Sequence, residues 1–171
     1  MACSILSQEF YESDSSRGFI RGYGLHSGRS TTPMTFALGG YGIDNPIPWG
    51  DEHREIMDNI YPYLAGLTIV TEDLPEEHNC VTLDCELKDS DGIPAPKITY
   101  RVSENTKAMI KHGEQRASEV LMAAGAKKIL SKNDDKVWWR AGWHQMGTCR
   151  MGHDPKKSVV NGWGRSHDVK N

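Results

Sequence analysis

The sequence predicts an α+β fold in which an antiparallel sheet is covered by helices, and three observations carry that expectation. From Cys80 to Leu87 the residues Val81, Leu83, Cys85 and Leu87 fall on one face of an extended chain, and Thr82, Asp84 and Glu86 on the other. Strict alternation of this kind marks a strand with one buried and one wet face, the habit of antiparallel sheets. Ile98, Tyr100 and Val102 repeat the pattern on a second strand. Met109, Ala117, Val120, Leu121 and Ala124 then recur at helical spacing, so a helix over 104–124 would offer one apolar stripe to the sheet.

The other elements follow in order. Residues 1–50 are rich in Gly, Ser, Thr and Pro, with short apolar pieces at Phe19–Tyr23 and Met34–Leu38 that read as strands. A first helix is expected over about 51–61, with Asp51 near its N-terminus, Ile56, Met57 and Ile60 as its apolar stripe, and Pro62 closing it. Leu67, Ile69 and Thr71 supply a third strand around 66–72, beside those at 80–87 and 97–102. Asp89-Ser90-Asp91-Gly92 is a turn sequence, and Pro94 and Pro96 extend that connection. Ser103 is placed to cap the long helix, and Gly125 suits the left-handed residue just past its end.

With 171 residues the chain is long enough for one domain with a core, burying roughly 70% of its unfolded surface. Its 37% hydrophobic and 25% charged residues are ordinary for a soluble protein. A net charge of -3 without a dense basic face argues against nucleic acid as a partner. No apolar run reaches the ~18 residues of a membrane span. The start, Met1 to Leu6, lacks the basic flank and long apolar stretch of a secretory signal, and localisation stays open because the chain reads as incomplete at both ends. Cys3, Cys80, Cys85 and Cys149 follow no paired spacing and predict no disulfide framework.

Chemistry concentrates near the C-terminus. Trp143-His144-Gln145-Met146-Gly147-Thr148-Cys149-Arg150-Met151-Gly152 sets one imidazole among apolar, Gly and polar residues. Asp154-Pro155, Ser158-Val159-Val160 and Gly162-Trp163-Gly164-Arg165 follow. A neutral imidazole, ordinarily titrating near ~6.5, can accept a proton at neutral pH; in isolation, such a residue is more often a hydrogen-bonded core histidine. His144, Cys149 and His153 are poorly spaced for a structural zinc site, His167 is the only further ligand in view, and no metal is expected. His26, His53, His78, His112 and His167 sit among polar neighbours and read as surface residues. Trp138, Trp139 and Trp143 could stack on a sugar face, although core packing is the commoner use of such rings. The glycines of Gly22-Tyr23-Gly24-Leu25-His26-Ser27-Gly28 miss the dinucleotide fingerprint by one residue. Arg29-Ser30-Thr31-Thr32-Pro33 after them is a poor helix start for holding a pyrophosphate, so they read as turn residues.

The run from His144 to Val160 resembles the signature of the glucose–methanol–choline (GMC) oxidoreductase family. There a His precedes Gly-Thr and Arg-Met-Gly, followed by Asp-Pro and Ser-Val-Val. Glu72-Asp73-Leu74-Pro75, Asn79-Cys80-Val81-Thr82-Leu83, Asp91-Gly92-Ile93-Pro94 and Ala123-Ala124-Gly125-Ala126 resemble the C-terminal half of that family in the same order, closest to its sugar and sugar-acid dehydrogenase flavoprotein subunits.

The resemblance implies an FAD-dependent enzyme that oxidises the CH–OH group of an alcohol, sugar or sugar acid. His144 would be the proton acceptor by the flavin, with Trp143 and Gln145 as substrate-binding neighbours. It implies that residues 1–171 form an incomplete C-terminal substrate-binding region. The FAD-binding domain of the same enzyme, the final strand and a second catalytic His or Asn would lie outside it, so the chain alone would not turn over. The competing expectation is a non-catalytic binding module that keeps the fold without flavin.

Overall fold

A computed structural model describes residues 5–28, 32–40, 46–130 and 147–170. The chain divides into two compact units, one formed by residues 1–73 with 103–138 and the other by 74–102 with 139–171. Both contain antiparallel sheet, and three α-helices among the described residues complete an α+β architecture.

The first unit is built on strands β1 (Leu6–Ser7), β2 (Tyr23–Gly28) and β3 (Gly66–Thr71), paired in that order and all antiparallel. The β2–β3 register runs from Tyr23 opposite Thr71 to Gly28 opposite Gly66. Helices α1 (Pro33–Gly39) and α2 (Asp51–Asn59) lie between β2 and β3 in the chain, and α3 (Glu104–Ala123) packs on β2 and β3.

The long helix begins and ends as its sequence dictates. The Ser103 hydroxyl accepts from the Thr106 backbone N–H at 3.1 Å, and Gly125 takes a left-handed φ of 97° just beyond the end. Its inward stripe is Thr106, Met109, Ile110, Gly113 and Ala117, whereas Val120, expected on that stripe, is half exposed. Gly113 lets helix and sheet approach closely: a Cβ there would stand 2.7 Å from Ile69 Cγ2 and 3.3 Å from a Tyr23 ring carbon. Phe19, Tyr23, Leu25, Met109 and Ala117 form the core beneath it.

A polar pair sits in that core. The Tyr23 hydroxyl lies 2.7 Å from His112 Nδ1, and Phe10 stacks on Tyr23 at 5.0 Å between ring centroids. Burial pushes the Tyr23 phenol up to about 12, so it stays protonated and can donate to the imidazole. Burial also holds His112 below its ordinary 6.5, with the Arg116 and Arg17 guanidinium groups acting the same way and Glu119 opposing them. Because the folded value is depressed, the unfolded chain takes up the proton first as pH falls. The contribution of His112 is therefore whole above 6.5 and is lost as pH drops below it. Melting temperature should fall more steeply with acidification in the wild type than in His112→Gln; equal slopes would show that His112 plays no part.

The second unit carries β4 (Cys80–Lys88) and β5 (Pro94–Thr99), paired among the described residues with each other alone, with Val81 opposite Ile98 and Leu83 opposite Pro96. Asp89 closes the hairpin by accepting from the Asp91 and Ile93 backbone N–H groups at 2.9 Å each, with Gly92 at a φ of 82°.

Several expectations need correcting. The strands at 66–72, 80–87 and 97–102 do not make one sheet, since β3 pairs with β2 and β4 with β5. The apolar face expected to be buried is exposed, at 55% for Val81 and 70% for Leu83, with Cys85 and Leu87 open as well. Alternation reports which residues share a face, not what covers them. Pro94 and Pro96 lie within β5 and not in a loop, because a strand paired on one side tolerates residues without an N–H. Met34–Leu38 is helical and not a strand: Thr32 caps α1 through the Thr35 N–H at 3.2 Å, with Pro33 in the first turn. Gly24 and Gly28 belong to β2 and are not turn residues; a Cβ on Gly24 would come within 2.7 Å of the Tyr11 ring.

Candidate active site

The described part of the His144 motif forms one hydrogen-bonded knot from three short segments, 150–152, 158–160 and 165–167. Residues 151 and 160 form a parallel bridge and residues 160 and 166 an antiparallel one. The Gly152 N–H donates to the Val160 carbonyl and the Val159 N–H to the Arg150 carbonyl, both at 2.9 Å. Arg150 adds a side-chain tie, its Nε donating to the Lys157 carbonyl at 3.0 Å.

Two turns shape the connections. After Asp154, its Oδ1 accepts from the Lys156 N–H at 2.9 Å while its carbonyl accepts from the Ser158 hydroxyl at 2.6 Å. Asn161 does the same for Gly162-Trp163-Gly164, with Oδ1 accepting from the Trp163 N–H at 2.9 Å and the Arg165 N–H at 3.1 Å. His167 closes the knot, its Nε2 lying 3.0 Å from Ser158 Oγ and 3.1 Å from the Gly152 carbonyl oxygen.

Gly152 cannot be larger without a shift, since a Cβ there would sit 3.0 Å from Ser158 Cβ. Arg-Met-Gly and Ser-Val-Val are thus two edges of one structure. Beside them lies an open cavity of about 370 Å³ lined by Glu77, Arg150, His153, Asp154, Lys157 and Ser158, a mixture of donors and acceptors with charges of both signs.

His144, Trp143 and Gln145, along with Trp138 and Trp139, lie outside the described residues. Cys149 is an exposed free thiol, and His153 lines the cavity. Among the described residues no three His, Cys, Asp or Glu side chains converge as a metal site would require. Nor do the glycines of 22–28 form a phosphate-binding loop: Gly24 and Gly28 pair with Val70 and Gly66 of β3, and a Cβ-sized space beside Gly22 is already filled by the Tyr11 carbonyl. His112 and His167, both read from sequence as surface residues, are half-buried and hydrogen-bonded. Neither contact has a local sequence signal, since the partners are 89 and 15 residues away.

Residues 75–171 match the sequence profile of the family described as GMC oxidoreductase. The chain is 39% identical over 168 residues to 2-methyl-1,2-propanediol dehydrogenase of Mycolicibacterium austroafricanum, covering 98% of this chain and 30% of that protein. It is 36% identical over 60% of its length to 6'''-hydroxyparomomycin C oxidase of Streptomyces lividus, and 35% identical over 58% to the fructose dehydrogenase large subunit of Gluconobacter japonicus. It spans less than a third of the first of these relatives and 18% of each of the other two. On the profile match, which takes in more than half of the chain, the chain belongs to the GMC oxidoreductase family.

Proposed function

We propose that this chain is the substrate-binding part of an FAD-dependent oxidoreductase that oxidises the CH–OH group of an alcohol, sugar or sugar acid, with His144 as the proton acceptor. The observation that carries the reading is the alignment of nearly the whole chain with a protein named as a diol dehydrogenase. An oxidase and a fructose dehydrogenase subunit among the relatives point the same way.

Oxidising a carbinol breaks its O–H and C–H bonds and forms a carbonyl. The chemistry FAD would supply when bound is acceptance of the hydride from carbon. The chain's own task is the other half. A neutral His144 imidazole accepts the hydroxyl proton at a ring nitrogen, so that charge does not build on oxygen alone. Trp143 and Gln145, its neighbours in sequence, would offer a ring face to a sugar or alkyl surface and an amide to a hydroxyl. The dinucleotide would be held by the FAD-binding domain of the same enzyme. No helix among the described residues is long and apolar enough to cross a membrane.

The full-length protein, purified from flavin-replete cells, should be yellow and should reduce an artificial electron acceptor when given an alcohol or sugar. A colourless protein that reduces no acceptor with any such compound would favour a non-catalytic binding module.

A further inference from the structure

We infer that His167 is a positioning residue that holds the Arg150–Gly152 arm of the motif, the stretch of chain that follows His144, in place through its Nε2 proton. The inference rests on the reading of His144 as proton acceptor. The hydrogen-bond inventory fixes the protonation at Nε2. The Gly152 carbonyl can only accept, and the single Ser158 hydroxyl proton is directed to the Asp154 carbonyl at 2.6 Å. Both atoms facing Nε2 are therefore acceptors, and Nε2 must carry a hydrogen shared between them.

This clasp joins points distant in sequence. The His167 N–H donates to the Val159 carbonyl at 3.1 Å, which seats its backbone on the Ser-Val-Val edge. Its ring then reaches across to Gly152 on the Arg-Met-Gly edge. Gly152 is pressed against Ser158 by the lack of a Cβ, so the ring bonds to a carbonyl and a hydroxyl already held side by side. The chain runs six positions back from Arg150 to His144. On the reading of His144 as proton acceptor, loosening the arm that follows it should cost rate, since misplacement of a reacting group by about 1 Å can cost roughly 100-fold. With that hydrogen shared between two acceptors, Nε2 is not free to accept a proton.

The test compares His167→Ala with His167→Gln, whose amide N–H can replace the donor, in the flavin-loaded full-length protein. His167→Ala should slow flavin reduction by roughly 10- to 100-fold with KM and flavin content near wild type. It should speed amide exchange in the 150–160 peptide while leaving the 104–123 helix unchanged. His167→Gln should recover both, and the ionisation that governs flavin reduction should persist in both variants. The inference is overturned if His167→Ala stays within about twofold of wild type in rate and exchange, a margin too small for a lost hydrogen bond. It is also overturned if Gln rescues neither readout, or if either variant loses the ionisation, which would make His167 itself the base. Failure of the His144 reading would appear elsewhere, as wild-type flavin reduction by His144→Ala, and exchange with Gln rescue would still decide the role of His167.

Discussion

His144→Ala in the full-length protein should lower the rate of flavin reduction by roughly 10²–10⁴-fold, the usual contribution of a positioned general base. Flavin content and melting temperature should stay close to wild type, because the proposed duty of the residue is proton transfer. His144→Asn should behave alike, since an amide keeps some hydrogen bonding but cannot take up the proton. The wild-type rate should rise with pH through one ionisation of a group that must be deprotonated, and both variants should lose that dependence. Stopped-flow reduction by an alcohol across pH checks this. A variant within a few-fold of wild type at every pH would place the base on another residue.

Met109→Ala should destabilise the first unit by about 2–5 kcal/mol, the range for truncating a large buried side chain. Met109 is completely buried among Phe19, Tyr23, Leu25 and Ala117, where the α3 stripe meets β2. The close approach at Gly113, one turn further along α3, leaves little room for helix and sheet to collapse into the void. Urea denaturation would measure the loss as a lowered midpoint at constant slope. A change below about 1 kcal/mol would mean that the site collapses freely, contrary to the packing described.

The elements legible in the sequence were those that carry their own boundaries. The long helix has a cap at Ser103, an apolar stripe through Met109 and Ala117, and a stop at Gly125, so its limits needed no tertiary information. The alternation of Cys80 to Leu87 likewise marked β4. Pairing was not legible, because β2 begins within a segment whose alternation is broken by glycines, and its role as partner of β3 depends on packing under α3. Met34–Leu38 is too short for periodicity to separate strand from helix, and the decisive signal was the Thr32-Pro33 start. In the candidate site, His144 could be singled out only by resemblance, since a single imidazole has no spacing to read. His167 was missed because its contacts arise from the turns at Asp154 and Asn161, which bring Gly152, Ser158 and His167 together only in three dimensions.

The most direct measurement of the central claim is anaerobic mixing of the flavin-loaded full-length protein with alcohols and sugars, unlabelled and deuterated at the carbinol carbon, while following flavin absorbance. At least one compound should bleach the flavin, form the corresponding carbonyl product in equal amount, and do so more slowly when that carbon carries deuterium. A flavin-loaded protein whose absorbance no alcohol or sugar changes would contradict it.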